Sequence, residues 1–289
     1  MASHARNRMT ETGIPRVAMV QGKIPEHELN AVYDPMVNLI LRGSKTMTVG
    51  DQTLHYNPAS YFVMSVDLPA IGTVRPSASG EPYLAVALTL QPAVISALMA
   101  DLPECADKTR TKTEAGFSVA SVTADLMDAW VRMLRLMERP ADIPALAPVY
   151  EREILYRVLQ GPQGSMLRDI AIPDSAIARI TLAIQRIRRD FAEPLTVEAL
   201  AQLAAMSVSA FHRHFKSVTA LSPLQYQKQV RLLKARTLLV GGGKSVTSAA
   251  FEVGYESPTQ FSREYARAFG LPPGRDSEQI LAKYAEGVR

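Results

Sequence analysis

The segment "MSVSAFHRHFKSVTALSP" (206–223) carries two of the chain's five histidines, His212 and His214, with Arg213 between them. A His-x-His pair could bind a metal ion or transfer protons. Residues two apart in a helix point about 200° away from each other, so this pair could bind one ion only on a strand. Phe211 and Phe215, which flank the three residues, have the i, i+4 spacing of one helical face. The spacing therefore predicts a helix in which the two histidines do not share a site.

The opposite face of this predicted helix is polar and basic. If the two phenylalanines face the core, the exposed positions at i, i+3, i+4 and i+7 spacing are Ser209, His212, Arg213 and Lys216. Side chains near the start of an exposed helix can reach base edges in the major groove of DNA, and a lysine farther along can contact a phosphate. We therefore predict that the first three residues read bases and that Lys216 contacts the DNA backbone.

The same pattern recurs about fifty residues later in the chain. The segment "FHRHF" (211–215) corresponds to "FSREY" (261–265), and "ALSP" (220–223) corresponds to "GLPP" (270–273). A repeated amphipathic helix with a basic face favours a DNA-binding surface over an ordinary solvated helix. By the same periodicity, the exposed face of the second helix consists of Thr259, Ser262 and Arg263, with Arg267 one turn beyond and placed to meet phosphate.

Each copy of the repeat is predicted to fold as a helix, a tight turn and a second helix. The candidate N-caps are Thr196, Ser207, Ser245 and Ser257. A long helical segment joins the copies and ends at three glycines, 241–243. Two such units on one rigid connector could place two helices in successive turns of the major groove, about 34 Å apart.

The charge of the chain is unevenly distributed. Residues 181–289 contain 15 Lys and Arg against 9 Asp and Glu, whereas residues 1–180 contain 17 against 19. The last third of the chain therefore has an excess of six positive charges, and the rest is close to neutral. This distribution indicates that the last third meets a polyanion.

Residues 37–90 have the pattern of strands joined by turns. Segments rich in Val, Thr, Tyr and Phe alternate with Gly, Asn, Pro and Asp, which is typical of hairpins and predicts a small sandwich or barrel. From Gln91 onward the hydrophobic period is helical, so the predicted fold class is α+β. One predicted helix within 123–140 could pack on its own barrel or on a second subunit, and its apolar face is formed by Leu126, Trp130, Met133, Leu134 and Met137.

The composition also predicts the domain organisation. The polar residues 1–15 lack the apolar region of a secretory signal and are expected to form a disordered lead-in. A regulatory domain is expected over 16–165 and a DNA-binding domain over 174–289, with the boundary in the Pro- and Gly-containing segment 161–174. No segment has about 18 apolar residues without charges, and the single cysteine, Cys105, excludes an internal disulfide. We therefore expect a reduced, cytoplasmic protein without a membrane span.

At its C-terminal end the chain resembles a known family. The segments "LTVEALAQLAAMSVSAFHRHFKSVTALSPLQYQKQVRLLKARTLL" and "AAFEVGYESPTQFSREYARAFGLPP" are similar to the DNA-binding domain of AraC/XylS-type transcription regulators, over about Ile184 to Asp276. The segments "DPMVNLILRGSKTMTVGDQTLHYNPASYFVMSVDLP", "EPYLAVALTLQP" and "EREILYRVLQGPQG" resemble the N-terminal effector domain of one AraC subgroup. The resemblance implies a cupin-like β-barrel with following helices, then an all-α domain of two helix-turn-helix units.

The resemblance also implies which residues contact DNA and which partners the protein has. The implied base readers are Ser209, His212 and Arg213 in the first unit and Pro258, Thr259, Ser262 and Arg263 in the second. Because a proline cannot hydrogen-bond a base, we expect the second unit to read DNA more by shape and phosphate contacts. Two further departures are Ala220, where the family often has glycine, and "PPGRD", which lacks the usual tyrosine. The implied partners are operator DNA, a small-molecule effector and RNA polymerase, with homodimers on paired half-sites.

The predicted barrel is the expected place for a small effector, because barrel interiors can hold a ligand. A metallo-cupin centre would need several histidines, and His55 is the only one between Val32 and Leu90. Cys105 lies in the acidic segment "DLPECADK" without an identifiable activating partner, and no Gly-rich phosphate loop occurs, so no metal, cofactor or catalytic residue is predicted. The candidate effector-pocket residues are the aromatic and polarizable side chains of the strand region: Tyr33, His55, Tyr56, Tyr61, Met64 and Tyr83.

The preferred hypothesis is a sequence-specific DNA-binding regulator controlled by an effector in the barrel. Two alternatives stay open at this point. A cupin-type enzyme tethered to DNA by its C-terminal domain would contain stoichiometric metal. A DNA-binding module with a purely structural front half would show no response of its melting temperature or DNA affinity to any small molecule.

Overall fold

The N-terminal half folds into two antiparallel sheets. The computed structural model describes residues 9–22, 27–102 and 115–286. Its strands are β1 (Met9–Glu11), β2 (Val17–Gly22), β3 (His27–Tyr33), β4 (Met36–Arg42), β5 (Ser44–Val49), β6 (Gln52–Tyr56), β7 (Ser60–Met64), β8 (Leu68–Arg75), β9 (Tyr83–Thr89) and β10 (Phe117–Ser121). The six-stranded sheet has the order β1-β2-β9-β4-β7-β10, and the four-stranded sheet has the order β3-β8-β5-β6.

The two sheets enclose one apolar interior. Alternate residues of a strand point to opposite faces, and in β5 the buried positions are Lys45, Met47 and Val49. Ile40 and Phe62 of the six-stranded sheet are fully buried in the same cluster. The two sheets therefore face each other across a shared core. This arrangement confirms the predicted α+β class with N-terminal strands followed by helices.

Four helices cover the outer face of the six-stranded sheet: α1 (Pro92–Ala100), α2 (Ala124–Arg135), α3 (Ile143–Leu159) and α4 (Gly164–Ala171). Trp130 of α2 is fully buried in one apolar cluster with Leu39 and Val63 of the sheet. Thr123 caps the helix by accepting a hydrogen bond of 3.3 Å from the Leu126 amide. Of the two arrangements that the sequence left open, the structure shows the one in which this helix packs on its own barrel.

The structure adds detail at two segments that border the predicted domains. Within the expected disordered lead-in, 1–15, residues 1–8 lie outside the described residues, but Met9–Glu11 pair with β2 as a strand. Gly13, with a φ of 73°, lies in the turn between these strands. The expected boundary segment, 161–174, contains α4, because Gly164 lets this helix approach the end of α3 closely. Cys105 lies outside the described residues.

The C-terminal part is helical. Its helices are α5 (Ala176–Arg189), α6 (Val197–Leu203), α7 (Val208–Thr219), α8 (Pro223–Gly242), α9 (Val246–Glu252), α10 (Pro258–Phe269) and α11 (Pro273–Glu286). Helices α6 and α7 form the first helix-turn-helix unit, α9 and α10 form the second, and α8 connects them. All four predicted N-caps are confirmed, because each side chain accepts a hydrogen bond from a backbone amide in the first turn of its helix.

The two helix-turn-helix units have different turn residues. Ala205 in the first turn has a φ of 49°, which is uncommon for a residue with a side chain. Gly254 in the second turn has a φ of 84°, and a Cβ atom there would overlap the Ala192 carbonyl oxygen. Glycine is therefore required at 254 both by its backbone conformation and by the close approach of a neighbouring loop.

The barrel packs directly against the first helix-turn-helix unit. One apolar cluster continues from Phe62 and Met64 of the barrel to Phe211 and Phe215 of α7. The Gly116 amide donates a hydrogen bond of 2.9 Å to the carbonyl oxygen at the end of α7, at residue 218. The barrel and the first helix-turn-helix unit therefore share a core instead of being joined only by a linker.

Charged and polar contacts reinforce this interface. The Arg188 guanidinium of α5 contacts the carboxylates of both Asp34 and Asp67 in the barrel. The Tyr226 hydroxyl of α8 donates a hydrogen bond of 2.7 Å to the Asp67 carbonyl oxygen. Gly50, in the turn between β5 and β6, lies so close to the Ala220 carbonyl oxygen that an added Cβ atom would be 2.6 Å from it. Helix α5, which precedes the first helix-turn-helix unit, and helix α8, which follows it, are thus both attached to the barrel.

Candidate nucleic-acid interface

Helix α7 is held by its apolar side. Phe211 and Phe215 are fully buried with ring centroids 5.4 Å apart, and Phe215 packs edge-on against Tyr226 of α8 at 5.6 Å. Buried aromatic rings at i and i+4 fix the rotation of a helix about its own axis. The structure therefore places the predicted inner face of α7 inwards, which determines what the other face presents to solvent.

The outer face of α7 presents all four residues predicted from periodicity. Ser209, His212, Arg213 and Lys216 are exposed. His214 is instead half-buried, and burial lowers the pKa of its imidazole, with a smaller contribution from the charge of Arg213. His212 and His214 therefore occupy different environments on the helix, as their spacing predicts.

Helix α10 is fixed in the same way. Phe261 and Tyr265 are fully buried with ring centroids 5.5 Å apart. The Tyr265 hydroxyl donates a hydrogen bond of 2.7 Å to the Asp276 carboxylate, which also accepts bonds of 2.8 and 2.9 Å from Arg236 of α8. Burial, followed by the hydrogen bond to Asp276, raises the pKa of the Tyr265 phenol. This buried network attaches α10 to both α8 and α11.

The outer face of α10 is less uniformly exposed than that of α7. Thr259, Arg263 and Arg267 are exposed, whereas Pro258 and Ser262 are half-buried. Pro258 occupies the first turn, where the lack of an amide hydrogen has no cost, and Ser257 caps the helix. The two arginines are one turn apart, so the basic character of this face is concentrated along one line of the helix.

Arg231 of the connecting helix α8 joins the two units, and sequence reasoning did not single it out. Its guanidinium donates hydrogen bonds to the carbonyl oxygens of Phe191 at 2.7 Å, Ala192 at 3.1 Å and Glu193 at 3.2 Å, before α6. It also donates a bond of 3.0 Å to the carbonyl oxygen of Gly254, in the turn of the second unit. One side chain therefore ties a loop of the first unit to the turn of the second.

The barrel interior contains four of the six predicted effector-pocket residues. Tyr56, Met64 and Tyr83 are buried in the interior cluster, and Tyr33 is partly buried against it. The Tyr56 hydroxyl donates a hydrogen bond of 3.0 Å to the Asn38 side chain. Burial raises the pKa of the Tyr56 phenol, and the proximity of Tyr83 and Tyr33 adds to this effect. The three phenols therefore lie near one another.

The other two predicted pocket residues lie elsewhere. Tyr61 packs in the cluster between the six-stranded sheet and its helices, and its hydroxyl donates a hydrogen bond of 2.7 Å to Gln163. Burial raises the pKa of this phenol to about 12. His55 is exposed, and its ring nitrogen is 2.9 Å from the Thr46 hydroxyl. The reason is strand alternation, which directs Tyr61 and His55 to the opposite face from Met64 and Tyr56.

Lys45 is a buried interior residue that the sequence-based set omitted. Its side chain belongs to the inward face of β5, the residue is 7% exposed, and its ammonium nitrogen is 4.7 Å from the centre of the Tyr33 ring. The segment "SKTMTV" indicates the inward position of Lys45, because its period-2 alternation places the lysine on the same face as Met47 and Val49. A buried lysine is rare in proteins, so its chemistry alone favours a surface position and conflicts here with the strand alternation.

Within 9–22, 27–102 and 115–286, no three His, Cys, Asp or Glu side chains lie together as a metal ion would need. None of the helices in these ranges is long and apolar enough to cross a bilayer.

The architecture is that of a two-domain protein in which a β-barrel is joined to tandem helix-turn-helix units. Residues 13–166 match the family described as the AraC-type transcriptional regulator N-terminus, and residues 200–279 match a helix-turn-helix domain family. The first match covers more than half of the chain. The chain therefore belongs to the AraC-type transcriptional regulators, which confirms the resemblance found in the sequence.

Curated relatives include the HTH-type transcriptional activator RhaS of two bacteria. The RhaS of Salmonella schwarzengrund is 32% identical over 151 residues, which is 51% of this chain and 52% of that protein. The RhaS of Escherichia fergusonii is 35% identical over 139 residues, which is 46% of this chain and 49% of that protein. The chain thus spans about half the length of the curated relatives that it matches.

Solved structures of ToxT from Vibrio cholerae share the fold over nearly the whole chain. An apo variant of ToxT has a TM-score of 0.56 and 12% identity, covering 90% of this chain and 96% of that one. Wild-type ToxT bound to an unsaturated fatty acid has a TM-score of 0.56 and 11% identity, covering 91% and 93%. At these identities the likeness concerns the fold alone.

Proposed function

We propose that the protein regulates transcription by binding a specific operator through α7 and α10. The observation that carries this proposal is the pair of exposed polar and basic faces on the second helices of two helix-turn-helix units. In this proposal Ser209, His212 and Arg213 read base edges and Lys216 contacts phosphate. In the second unit the base-reading positions are Thr259, Ser262 and Arg263, with Pro258 beside them and Arg267 on the backbone.

We propose that the two helix-turn-helix units differ in how many base pairs they recognise through direct contacts. The first unit has three exposed polar side chains in the first half of its recognition helix. In the second unit Pro258 offers no hydrogen-bonding side chain and Ser262 is half-buried, so Arg263 is the main direct reader. We therefore propose that the half-site of α7 is the more strongly specified, and that the half-site of α10 is recognised more by groove shape and phosphate contacts.

The experiment that tests DNA binding is selection of bound duplexes from a random pool. Selected sequences should contain a conserved element, and fluorescence anisotropy should give an affinity for it at least about 10³ times higher than for a scrambled duplex at physiological salt. Absence of an enriched element, or equal affinity for both duplexes, would contradict the proposal. A genomic pool would in addition place the sites next to genes whose products point to the effector's chemistry.

We further propose that a small effector in the barrel controls DNA binding. The barrel contacts the end of one recognition helix and lines a cavity beside the end of the other. Residues near Gly50 contact the end of α7, and a cavity of about 110 Å³ separates Thr48 and Ile71 of the barrel from Leu233 of α8 and Phe269 of α10. A ligand that alters the packing of the barrel would act directly on helices that position α7 and α10. Interior positions for the ligand are those of Tyr33, Tyr56, Met64 and Tyr83, and the fatty-acid complex of ToxT is consistent with an effector.

The remaining partners follow from the family. We propose that the protein acts as a non-enzymatic regulator in the cytoplasm, that it contacts RNA polymerase at its promoters, and that it forms homodimers on paired half-sites. Sedimentation of the protein with and without selected DNA measures the last of these. One protomer per duplex at saturation would contradict a dimer on a paired site.

A further inference from the structure

Lys45 is a positive charge in an apolar core. The residue is 7% exposed, and on the inward face of its strand it is followed by Met47 and Val49. Burial lowers the pKa of its ammonium group to about 8. A buried ammonium without a counter-ion costs several kcal/mol, so an unpaired lysine inside a barrel is expensive for the fold to keep.

The described residues do not supply the counter-ion. No Asp or Glu whose side chain the structure describes, which leaves out residues 23–29, forms an ion pair with Lys45, and burial is the cause of the shift of its pKa. Its contact is with the π face of Tyr33, at 4.7 Å from nitrogen to ring centre. A cation–π contact compensates only part of the desolvation of an ammonium group.

The surroundings of Lys45 combine hydrogen-bond donors with apolar side chains. Tyr56 is its direct partner on the neighbouring strand, because the Cα atoms of the two residues are paired in the register of β5 and β6. Burial raises the pKa of the Tyr83 phenol, and the proximity of Tyr33 adds to this effect, so neutral phenols stand close to one another here. The remainder of the interior is apolar, including Met47, Phe62 and Met64.

We propose that Lys45 binds the acidic group of an apolar organic anion, a carboxylate, inside the barrel. This inference rests on the effector role proposed for the barrel and specifies the chemical class of the effector. The carboxylate pairs with the ammonium, and the apolar part of the molecule packs on the side chains of the two sheets. A neutral ligand of the same shape leaves the buried ammonium unpaired and binds more weakly.

The strand that carries Lys45 also leads to the DNA-binding helices. Beyond Val49, the turn at Gly50 packs against the end of α7 at Ala220. Thr48 and Gly50 line the cavity at the end of α10. A ligand that pairs with Lys45 is thus bound to a strand that leads to the end of α7 and lines the cavity beside the end of α10, which gives its charge a route to DNA affinity.

The test compares octanoate with octanamide by isothermal titration calorimetry on the full chain. The two probes have the same alkyl chain and differ in the charge of the head group. Lys45→Met keeps the length and apolar bulk of the side chain and removes its charge. Lys216→Met makes the same change on the exposed face of α7 and is the matched control, because it should weaken DNA binding and leave the barrel unchanged.

We expect the wild type to bind octanoate about tenfold or more tightly than octanamide, the range of a hydrogen bond to a charged group. Lys45→Met should lose this preference, and Lys216→Met should retain it. Equal affinity of the wild type for both probes would overturn the inference while leaving an effector site in place. Preserved preference in a folded Lys45→Met variant would also overturn it.

Two measurements keep the outcomes separate. If neither probe binds the wild type, the inference fails, and anisotropy on the selected operator without ligand then decides whether the DNA-binding part of the proposed function stands. If Lys45→Met does not fold, as judged by circular dichroism and its melting temperature, Lys45→Gln replaces it. That variant is uncharged but polar, and it should likewise lose the preference for octanoate.

Discussion

The Tyr226 hydroxyl donates a hydrogen bond of 2.7 Å to the main-chain carbonyl oxygen of Asp67, although the two residues are 159 positions apart in the sequence. Tyr226 belongs to the helix that connects the two DNA-binding units, and Asp67 belongs to the barrel. Both residues are buried, so the bond is protected from water. The connecting helix is therefore part of the barrel's packing, and movement of the barrel wall near Asp67 changes the position of that helix.

Arg213→Ala is expected to weaken operator binding by about 1–3 kcal/mol and to relax base preference at one position. Arg213 is exposed on α7 and its neighbour Phe211 holds that face outwards, so the substitution should not affect the fold. Anisotropy titrations with the selected site and its single-base variants measure both effects. Unchanged affinity together with unchanged preference would remove Arg213 from the interface.

Lys216→Ala is expected to weaken binding to all duplexes alike. Lys216 is exposed about one turn beyond the proposed base-reading positions, where we propose that the helix passes the DNA backbone. Loss of one phosphate contact should reduce the slope of log K against log salt by about one. Titrations at several salt concentrations, on the selected site and on a scrambled duplex, measure the slope. A change in base preference would show that Lys216 reads a base instead.

Much of the DNA-binding domain could be predicted from the sequence, because its signals are local. The four N-caps and the inward aromatic pairs follow from spacing within one helix, and Phe211 with Phe215 sufficed to orient α7. For the barrel, the sequence predicted the strands and the class of fold, but not which strands pair or which side chains share the interior. Tyr61 was assigned to the pocket by its chemistry, although it is three residues from Met64 and must therefore face the other side of the sheet.

Contacts between distant segments could not be predicted in this way. The sequence predicts that 223–242 is a long helix, but not that Tyr226 meets Asp67 or that Arg231 meets the loop before α6. Arg231 is polar at the edge of an apolar face, a pattern that also fits an ordinary solvated arginine. Only the folded chain shows that its donors meet carbonyl oxygens from both units.

Arg231→Met is expected to weaken the cooperation of the two helix-turn-helix units in DNA binding. The change keeps the apolar stem but leaves the carbonyl oxygens of Phe191 and Gly254 without their donor, which should lower the free energy of unfolding by about 2–4 kcal/mol. The relative position of α7 and α10 should then vary, so the gain in affinity from a second half-site should shrink. Lys234→Met, an exposed position one turn along the same helix, is the control.

The measurement for Arg231→Met compares a full operator with one whose second half-site is scrambled. In the wild type and in Lys234→Met, the affinity for the full operator should exceed the affinity for the operator with the scrambled half-site by the same factor. In Arg231→Met this factor should fall towards one while binding to the first half-site alone is retained. An unchanged factor would show that the other contacts of α8 suffice to hold the two units in position.

Asp67 is expected to make stability depend on pH. Burial raises the pKa of its carboxyl to about 6, opposed by the charge of Arg188 and reinforced by Asp34. An unfolded aspartate ionises near 3.9, so between about pH 4 and pH 6 the folded state holds a proton that the unfolded state has lost. The free energy of unfolding contributed by this group is therefore highest below about pH 4 and decreases as the pH rises to about 6.

Asp67→Asn cannot ionise and should lack this dependence. The free energy of unfolding of both proteins is measured with urea at pH 4.0 and pH 7.5. Between the lower and the higher pH, the free energy of unfolding of the variant should rise by about 1–3 kcal/mol relative to that of the wild type. At pH 4.0 the wild-type carboxyl is protonated and, like the amide of the variant, carries no charge, so the change between the two pH values reports the ionisation of Asp67. Asp51→Asn, exposed in the turn between β5 and β6, controls for surface charge. An equal difference between wild type and Asp67→Asn at both pH values would show that Asp67 is ionised throughout, with Arg188 outweighing the cost of burial.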